Sequence, residues 1–484
     1  MAGTPRIARR PPGREPMTGE TPKVSDRLCE YAVSLGFEDL PAAVVERTKQ
    51  LFLDFLACTL GGHRIADSSA PITRGVASLV RGAQGACTVV GEADLYPPQY
   101  AALLNGTHAH SMDYDDIHRG AVMHPAVTIF PTLLALGEDR GVSGKDFLTA
   151  AVVGYDVANK IGKAHGTFVH ARGFHPTGTT GIFASTLAGA SILGLPVEQA
   201  RNAFGMNISQ SAGAQQYEVN GSWDKRIHTG LAAHNAIVSL FLAREGYRGS
   251  VDPIEGKHGY FALYASKPLD AARVLDGLGT EFEVMNTAVK PYPICRCSHA
   301  AIDAVIAFVR DNDLKPGDIA AIDINIGKYS YKIVGDPPDR KRTPANIVEA
   351  QFSQYFAAAA AARGNFTWRS YELIDDAQVR DLMGRVTLHP TDDVPQYGVK
   401  VTLATRDGRR LTADHPLPKG EPELPMTDDE FDAKFHEWAR PALGDANADR
   451  VSGLVGSLES VATIAELTAY LRPGRRPGKE AAAE

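Results

Sequence analysis

Residues 105–125 read NGTHAHSMDYDDIHRGAVMHP. Four histidines (His108, His110, His118, His124) and three aspartates (Asp113, Asp115, Asp116) fall inside this one stretch. The segments on either side are apolar and read as helices. Ionisable groups at such density beside a core are costly unless each is paired, hydrated or used. The stretch is therefore expected to be a chemically active loop between two buried helices.

Working outward, the helical pattern holds from Ser25 to about Leu269. Ser25 reads as the N-cap of DRLCEYAVSLGF. AAVVERTKQLFLDFLACTLGG has helical periodicity and is expected to stop at its paired glycines. SGKDFLTAAVVGYDVANKIGKA and HTGLAAHNAIVSLFLAREGY are apolar around most of their circumference, as helices buried on several sides are. Their many Ala and Gly residues permit close helix–helix approach. ACTVVGE is the one strand-like piece here, a small hairpin.

Composition shifts near Glu281. DIAAIDINIG, RVTLHP and GVKVTLATRDGRRLTADHP have strand character, and Asp407-Gly408 is a hairpin signal. SHAAIDAVIAFVRDN and PANIVEAQFSQYFAAAAAARG lie between them as two helices. After residue 410 the pattern returns to helix. The expected fold is mainly α: a helical domain over 23–280, a smaller α+β lid over 281–410, and a return segment of the helical domain over 411–472. Residues 1–22 and 473–484 read as disordered extensions. No internal repeat is evident.

The chain has 484 residues, of which 44% are hydrophobic and 22% charged, with a net charge of -7. These values fit an ordinary globular protein. They lack the basic stripe that nucleic acid requires, and no apolar run approaches a membrane span. Five cysteines, of which only Cys295 and Cys297 are close, do not form a disulfide framework, and the Arg- and Pro-rich start lacks the apolar core of a secretory signal. A cytoplasmic setting is the expectation.

Three further stretches carry candidate chemistry. His124-Pro125 and His175-Pro176 (in GFHPTGTTG) each place a histidine at a helix start. The dipole there lowers a histidine pKa and favours anions, so the pair suggests a pocket for a polycarboxylate. Among the aspartates, one carboxylate could serve as a base or hold a catalytic histidine. DKRIHTGLAAHNA offers Lys225 and His228, and KPYPICRCSHAAID offers Lys290, Arg296, Cys297 and His299. Lys and Arg beside a turn suit carboxylate clamping. Tyr329 and Tyr331 in GKYSYK read as the end of a lid strand. A metal at the Asp/His stretch is conceivable from ligand types, but HExxH is missing, and Cys295-x-Cys297 has no partner pair for zinc. Fingerprints for dinucleotides, nucleotide triphosphates and serine hydrolases are missing too.

NGTHAHSMDYDD, HPTGTTG, DKRIHTGLAAHNA and KPYPICRCSHAAID together resemble the MmgE/PrpD family. That family contains 2-methylcitrate dehydratase, cis-aconitate decarboxylase and iminodisuccinate epimerase. The resemblance spans roughly residues 25–470. It implies a helical domain with a lid, a homodimer, and metal-free, cofactor-independent chemistry. It also implies Asp113, His124, His175 and Lys225 as catalytic groups, with an active-site tyrosine at about Tyr331. His228, Lys290, Arg296 and His299 complete the expected substrate-binding set. The family's decarboxylases carry a histidine where Cys295 aligns.

These groups suit formation of a carbanion next to a carboxylate. The leading expectation is a hydro-lyase acting on a 2-methylcitrate-like di- or tricarboxylate, with Asp113 and His124 as a coupled acid–base pair. An epimerase of a dicarboxylate such as iminodisuccinate, a cis-aconitate-type decarboxylase, and a non-catalytic helical dimeric binding protein are the alternatives.

Overall fold

Two large hydrophobic cores, with a small third cluster of Cys58, Met112 and Tyr114, organise the described residues. The computed structural model describes residues 23–83 and 85–473, so the expected extension at 1–22 and the tail from 474 lie outside the described residues. One core draws its side chains from Val24 to Val289 and again from Met426 to Leu471. The second runs from Ile294 to Leu403 and takes in Tyr217 from the helical part. The fold is mainly α with a smaller α+β unit. No helix among the described residues is long and apolar enough to cross a membrane.

The large core is built on helices Ala42–Ile65, Pro98–His110, Ala126–Arg140, Gly144–His165, Pro176–Ile192 and Asp224–Arg244. Small residues let these helices pack closely. A Cβ on Gly230 would stand 2.2 Å from the Leu103 carbonyl oxygen, so Asp224–Arg244 crosses Pro98–His110 almost backbone to backbone. That crossing carries Lys225, at the start of one helix, towards the loop that leaves the other.

Two local expectations fail for the same reason. Helix Ala42–Ile65 runs through Gly61 and Gly62 instead of ending there. A Cβ on Gly62 would meet the His108 carbonyl oxygen at 1.9 Å, so these glycines serve close packing, not termination. Ser25 is not an N-cap either. Helix Val24–Ser34 begins one residue earlier, and Ser25 Oγ donates to Glu255 Oε2 at 2.5 Å.

The smaller unit holds a four-stranded sheet. Ile319–Gly327 lies between Val386–Thr391, which is parallel to it, and Val399–Thr405, which is antiparallel. Arg410–His415 completes the hairpin across Asp407-Gly408, with Gly408 at φ 91°. Helix His299–Asp311 covers this sheet. The alanine-rich stretch expected as one helix is two, Ile347–Gln351 and Gln354–Ala361. Ser353 breaks it by accepting a hydrogen bond from the Phe356 N–H, which frees Phe352 to turn aside.

The return helix Asp428–Leu443 pins the active loop from behind. Its Lys434 is buried, pairs with Asp54 at 2.6 Å, and donates to the main-chain oxygens of Tyr114 and Lys290 at 2.8 and 3.0 Å. One ammonium thus joins the loop, the first residues after the helical core, and the helix that follows the α+β unit.

Candidate active site

Charged side chains from both units converge on one pocket between them. Asp113, His124, His175 and Lys225 reach it from the helical side, and Lys290, Arg296, Cys295 and Tyr329 from the other.

Asp113 sits in the loop after helix Pro98–His110, in left-handed backbone at φ 53°. Val122, on the same cavity wall, is at φ 54°. Such non-glycine conformations cost about 1–3 kcal/mol each and are retained where the surroundings over-determine them. For Asp113 the surroundings are two lysines. Lys225 Nζ lies 2.5 Å and Lys290 Nζ 3.0 Å from the same carboxylate oxygen, and Lys290 also donates to the Asp113 main-chain oxygen. Burial alone would raise this carboxyl, but Lys225 and Lys290 hold it well below the usual carboxylate range. Asp113 is therefore a counter-ion and a poor base.

This corrects the expected Asp113–His124 pairing, since the neighbouring carboxylate takes the histidine. Asp115 Oδ2 lies 2.8 Å from His110 Nδ1 and 3.0 Å from His124 Nδ1, with no side-chain exposure of its own. His124 Nδ1 also donates to the Asp116 main-chain oxygen at 2.7 Å. Both acceptors require a proton on Nδ1, which leaves Nε2 as the nitrogen open to the cavity. Burial lowers the His124 pKa, and Asp115 opposes that shift. Asp115 was one of three equivalent aspartates in the sequence. Its distinction comes from a loop path that no spacing rule encodes.

His175 caps helix Pro176–Ile192, whose first residue is the proline, as its motif implied. His124 stands one residue outside its helix, where Pro125 takes the cap position. The His175 ring stacks on His110 at 5.5 Å and 15°. Its Nδ1 meets His228 Nδ1 at 3.3 Å, so one donates and the other accepts. Burial, then the neighbouring His110 and His228, push His175 well below its ordinary value. His228 backs His175 and is not on the cavity wall.

Arg296 is on the wall but already engaged. It pairs with Glu421 at 2.7 Å and donates to the Lys419 main-chain oxygen at 2.8 Å. His299 is fully buried beneath it, 3.2 Å from its Nη1. The expected clamp is thus a buried strut between the α+β unit and the return segment, and His299 supports it without reaching the cavity.

The tyrosine expectation fails on secondary structure. Tyr329 and Tyr331 lie on helix Lys328–Val334, not at a strand end. In a strand both would face one way. In a helix, residues two apart point to opposed sides while i and i+4 share one. Tyr329 and Ile333 line the cavity, and Tyr331 packs against Gly335 instead. The break at Ser353 adds Phe352, which sequence reading missed because the stretch looked uniformly helical.

Donor atoms of His110, Asp115 and His124 lie within 4.8 Å of one another, close enough to surround a metal ion. Yet the two Nδ1 atoms are occupied as hydrogen-bond donors, and ligation would need those protons removed. Purified protein is accordingly expected to hold no stoichiometric divalent ion and to keep its activity after chelation. Elemental analysis finding one ion per chain, lost together with activity, would reverse this assignment.

Family models match both units: the MmgE/PrpD N-terminal domain over residues 26–271 and the MmgE/PrpD C-terminal domain over 292–459. The chain belongs to the MmgE/PrpD family. Its similarity to characterised members runs nearly end to end. It is 29% identical to the cis-aconitate decarboxylase-like protein oryM of Aspergillus oryzae, over 94% of this chain and 99% of that one. It is 26% identical to cis-aconitate decarboxylase of Aspergillus terreus, covering 93% and 96% of the two chains. The Homo sapiens cis-aconitate decarboxylase is 28% identical, over 89% and 90%.

Proposed function

We propose that this chain is a cofactor-independent lyase that decarboxylates a small unsaturated tricarboxylate of the cis-aconitate kind. The observation that carries the reading is the charge balance of the cavity. Two ammonium groups meet one carboxylate, Asp113, and the other carboxyl on the wall, Glu218, is raised by burial, which leaves surplus positive charge beside a histidine whose Nδ1 is already held. The relatives move the leading reading from dehydration to decarboxylation, and none of them supports epimerisation.

The proposed sequence uses this chain's side chains alone. Lys225 and Lys290 receive substrate carboxylates. The carbon–carbon bond to one carboxylate breaks, carbon dioxide leaves, and the electron pair spreads over the adjoining double bond and carboxylate. Lys225 stabilises that charge as it grows. His124, protonated at Nε2 when the polyanion binds and steadied by Asp115, then gives its proton to carbon. His175 is the second group on the wall able to move a proton. Ile117, Val122 and Phe352 give the cavity apolar surface, which favours loss of charge from a carboxylate.

Dehydration of a 2-methylcitrate-like substrate is the second reading. Cys295, which stands on the wall where the family's decarboxylases align a histidine, is the observation that favours it. The homodimer and the cytoplasmic setting go with either reading and rest on the resemblance and the cysteine pattern.

Proton NMR in deuterated buffer separates the two. Decarboxylation of cis-aconitate should release one carbon dioxide and place one deuterium in the product. Loss of water from 2-methylcitrate, with cis-aconitate untouched, would replace the first reading by the second. Inertness to both would remove the lyase assignment.

A further inference from the structure

Beside Phe352 lies a second, narrow pocket, and it shares Tyr217, Glu218 and Phe352 with the first. Its far wall is formed by Arg340, Lys341 and Glu349. Arg340 is committed to Glu349 at 3.0 Å. Lys341 is different. Its backbone ends the short helix Pro338–Lys341, and its main-chain oxygen is tied to Ser353 Oγ at 2.5 Å. Its ammonium rests 5.8 Å from the centroid of Phe352, and no carboxylate pairs with it among the described residues.

That sets it apart from the cations of the main cavity. Lys225 and Lys290 are paired with Asp113, and Arg296 with Glu421. Lys225 lies over the same phenyl ring, 5.2 Å from its centroid. The two ammonium groups are therefore separated by no more than these two distances laid end to end, a span that a small tricarboxylate bridges.

We propose that the second cavity is a subsite for the substrate carboxylate remote from the reacting carbons, and that Lys341 is its anchor. The inference rests on the polycarboxylate reading of the main cavity and adds the residue that would distinguish three carboxylates from two. A half-buried ammonium without a counter-ion is unfavourable in the empty protein and is relieved when an anion enters. Burial lowers the Lys341 pKa, and an anion arriving beside it would restore the charged form. The other carboxyl facing this space, Glu218, is raised above its ordinary range by burial, which reduces its repulsion of an incoming anion. Phe352 lines both subsites and lies close to an ammonium from each.

The test uses full-length protein and two anions whose binding needs no turnover: tricarballylate, with three carboxylates, and succinate, with two. Calorimetry should show Lys341→Ala weakening tricarballylate about ten- to a hundredfold, the usual scale for losing a charge-assisted hydrogen bond. Succinate affinity should stay unchanged. Lys341→Arg should recover most of the loss, and an unaltered melting temperature should exclude misfolding. Equal losses for both anions, or none for either, would overturn the subsite while leaving the lyase reading intact. Lys341-dependent tricarballylate binding in a protein that turns over neither tested substrate would keep the subsite and sink the lyase reading. Wild-type protein that binds no tricarballylate would sink the subsite.

Discussion

His124→Ala is expected to reduce kcat/KM by about 10²–10⁴-fold, the range for losing a group that moves a proton in the transition state. The loss follows from geometry more than from residue type. Nδ1 is held by Asp115 and the Asp116 main chain, so a single ring nitrogen is left to act. The pH profile carries the sharper signature. Burial keeps His124 below its ordinary pKa of 6.5, so the free protein holds it neutral at pH 7. If it donates a proton to carbon, that proton must be taken up with the substrate. kcat/KM should then fall as pH rises through neutrality. A base would behave oppositely, with a neutral plateau and a loss only below pH 6.5. Asp115→Asn removes the negative charge that favours the imidazolium. It should lower kcat and move the alkaline limb of kcat to lower pH, while a merely structural role for Asp115 would leave the limb in place. A well-folded His124→Ala protein with near wild-type turnover would end the scheme.

Lys225→Ala should act on kcat, because the charge that Lys225 meets is greatest in the transition state. Removing one preorganised donor to a developing negative charge costs about 10²–10³-fold in kcat. Here a second effect adds to it. Without Lys225, Asp113 keeps Lys290 as its ion-pair partner among the described residues, and the surplus positive charge of this cluster disappears. KM should rise as well, because the bound anion then faces a neutral pair. Lys225→Gln, of similar length but uncharged, should resemble alanine, and near wild-type kcat in either variant would refute the role. The helix start at Asp224 faces partly to solvent, so the fold should survive, as a melting curve can verify.

The mainly helical fold, the family and the stretches that supply the site are legible in the residue pattern alone. Apolar periodicity marks the buried helices, period-two alternation marks the strands Ile319–Gly327 and Val399–Thr405, and His-Pro pairs mark two loop-to-helix junctions. These are local signals, set by which face of an element avoids water. Which members of each stretch meet which partners depends on long-range packing. Asp113 and Asp115 are two residues apart in similar surroundings, yet one neutralises lysines from two distant segments and the other holds two histidines. Gly61 and Gly62 look like a helix end until the neighbouring helix is present to claim the space. Tyr329 displaced Tyr331, and Phe352 joined the wall, because a helix start and a helix break rotate side chains by large angles that a one-residue difference in sequence does not reveal. Arg296 looked free to bind substrate because Glu421, its partner, lies 125 residues away. Charge pairing of this kind depends on which segments meet in space, and the chain order alone does not record that.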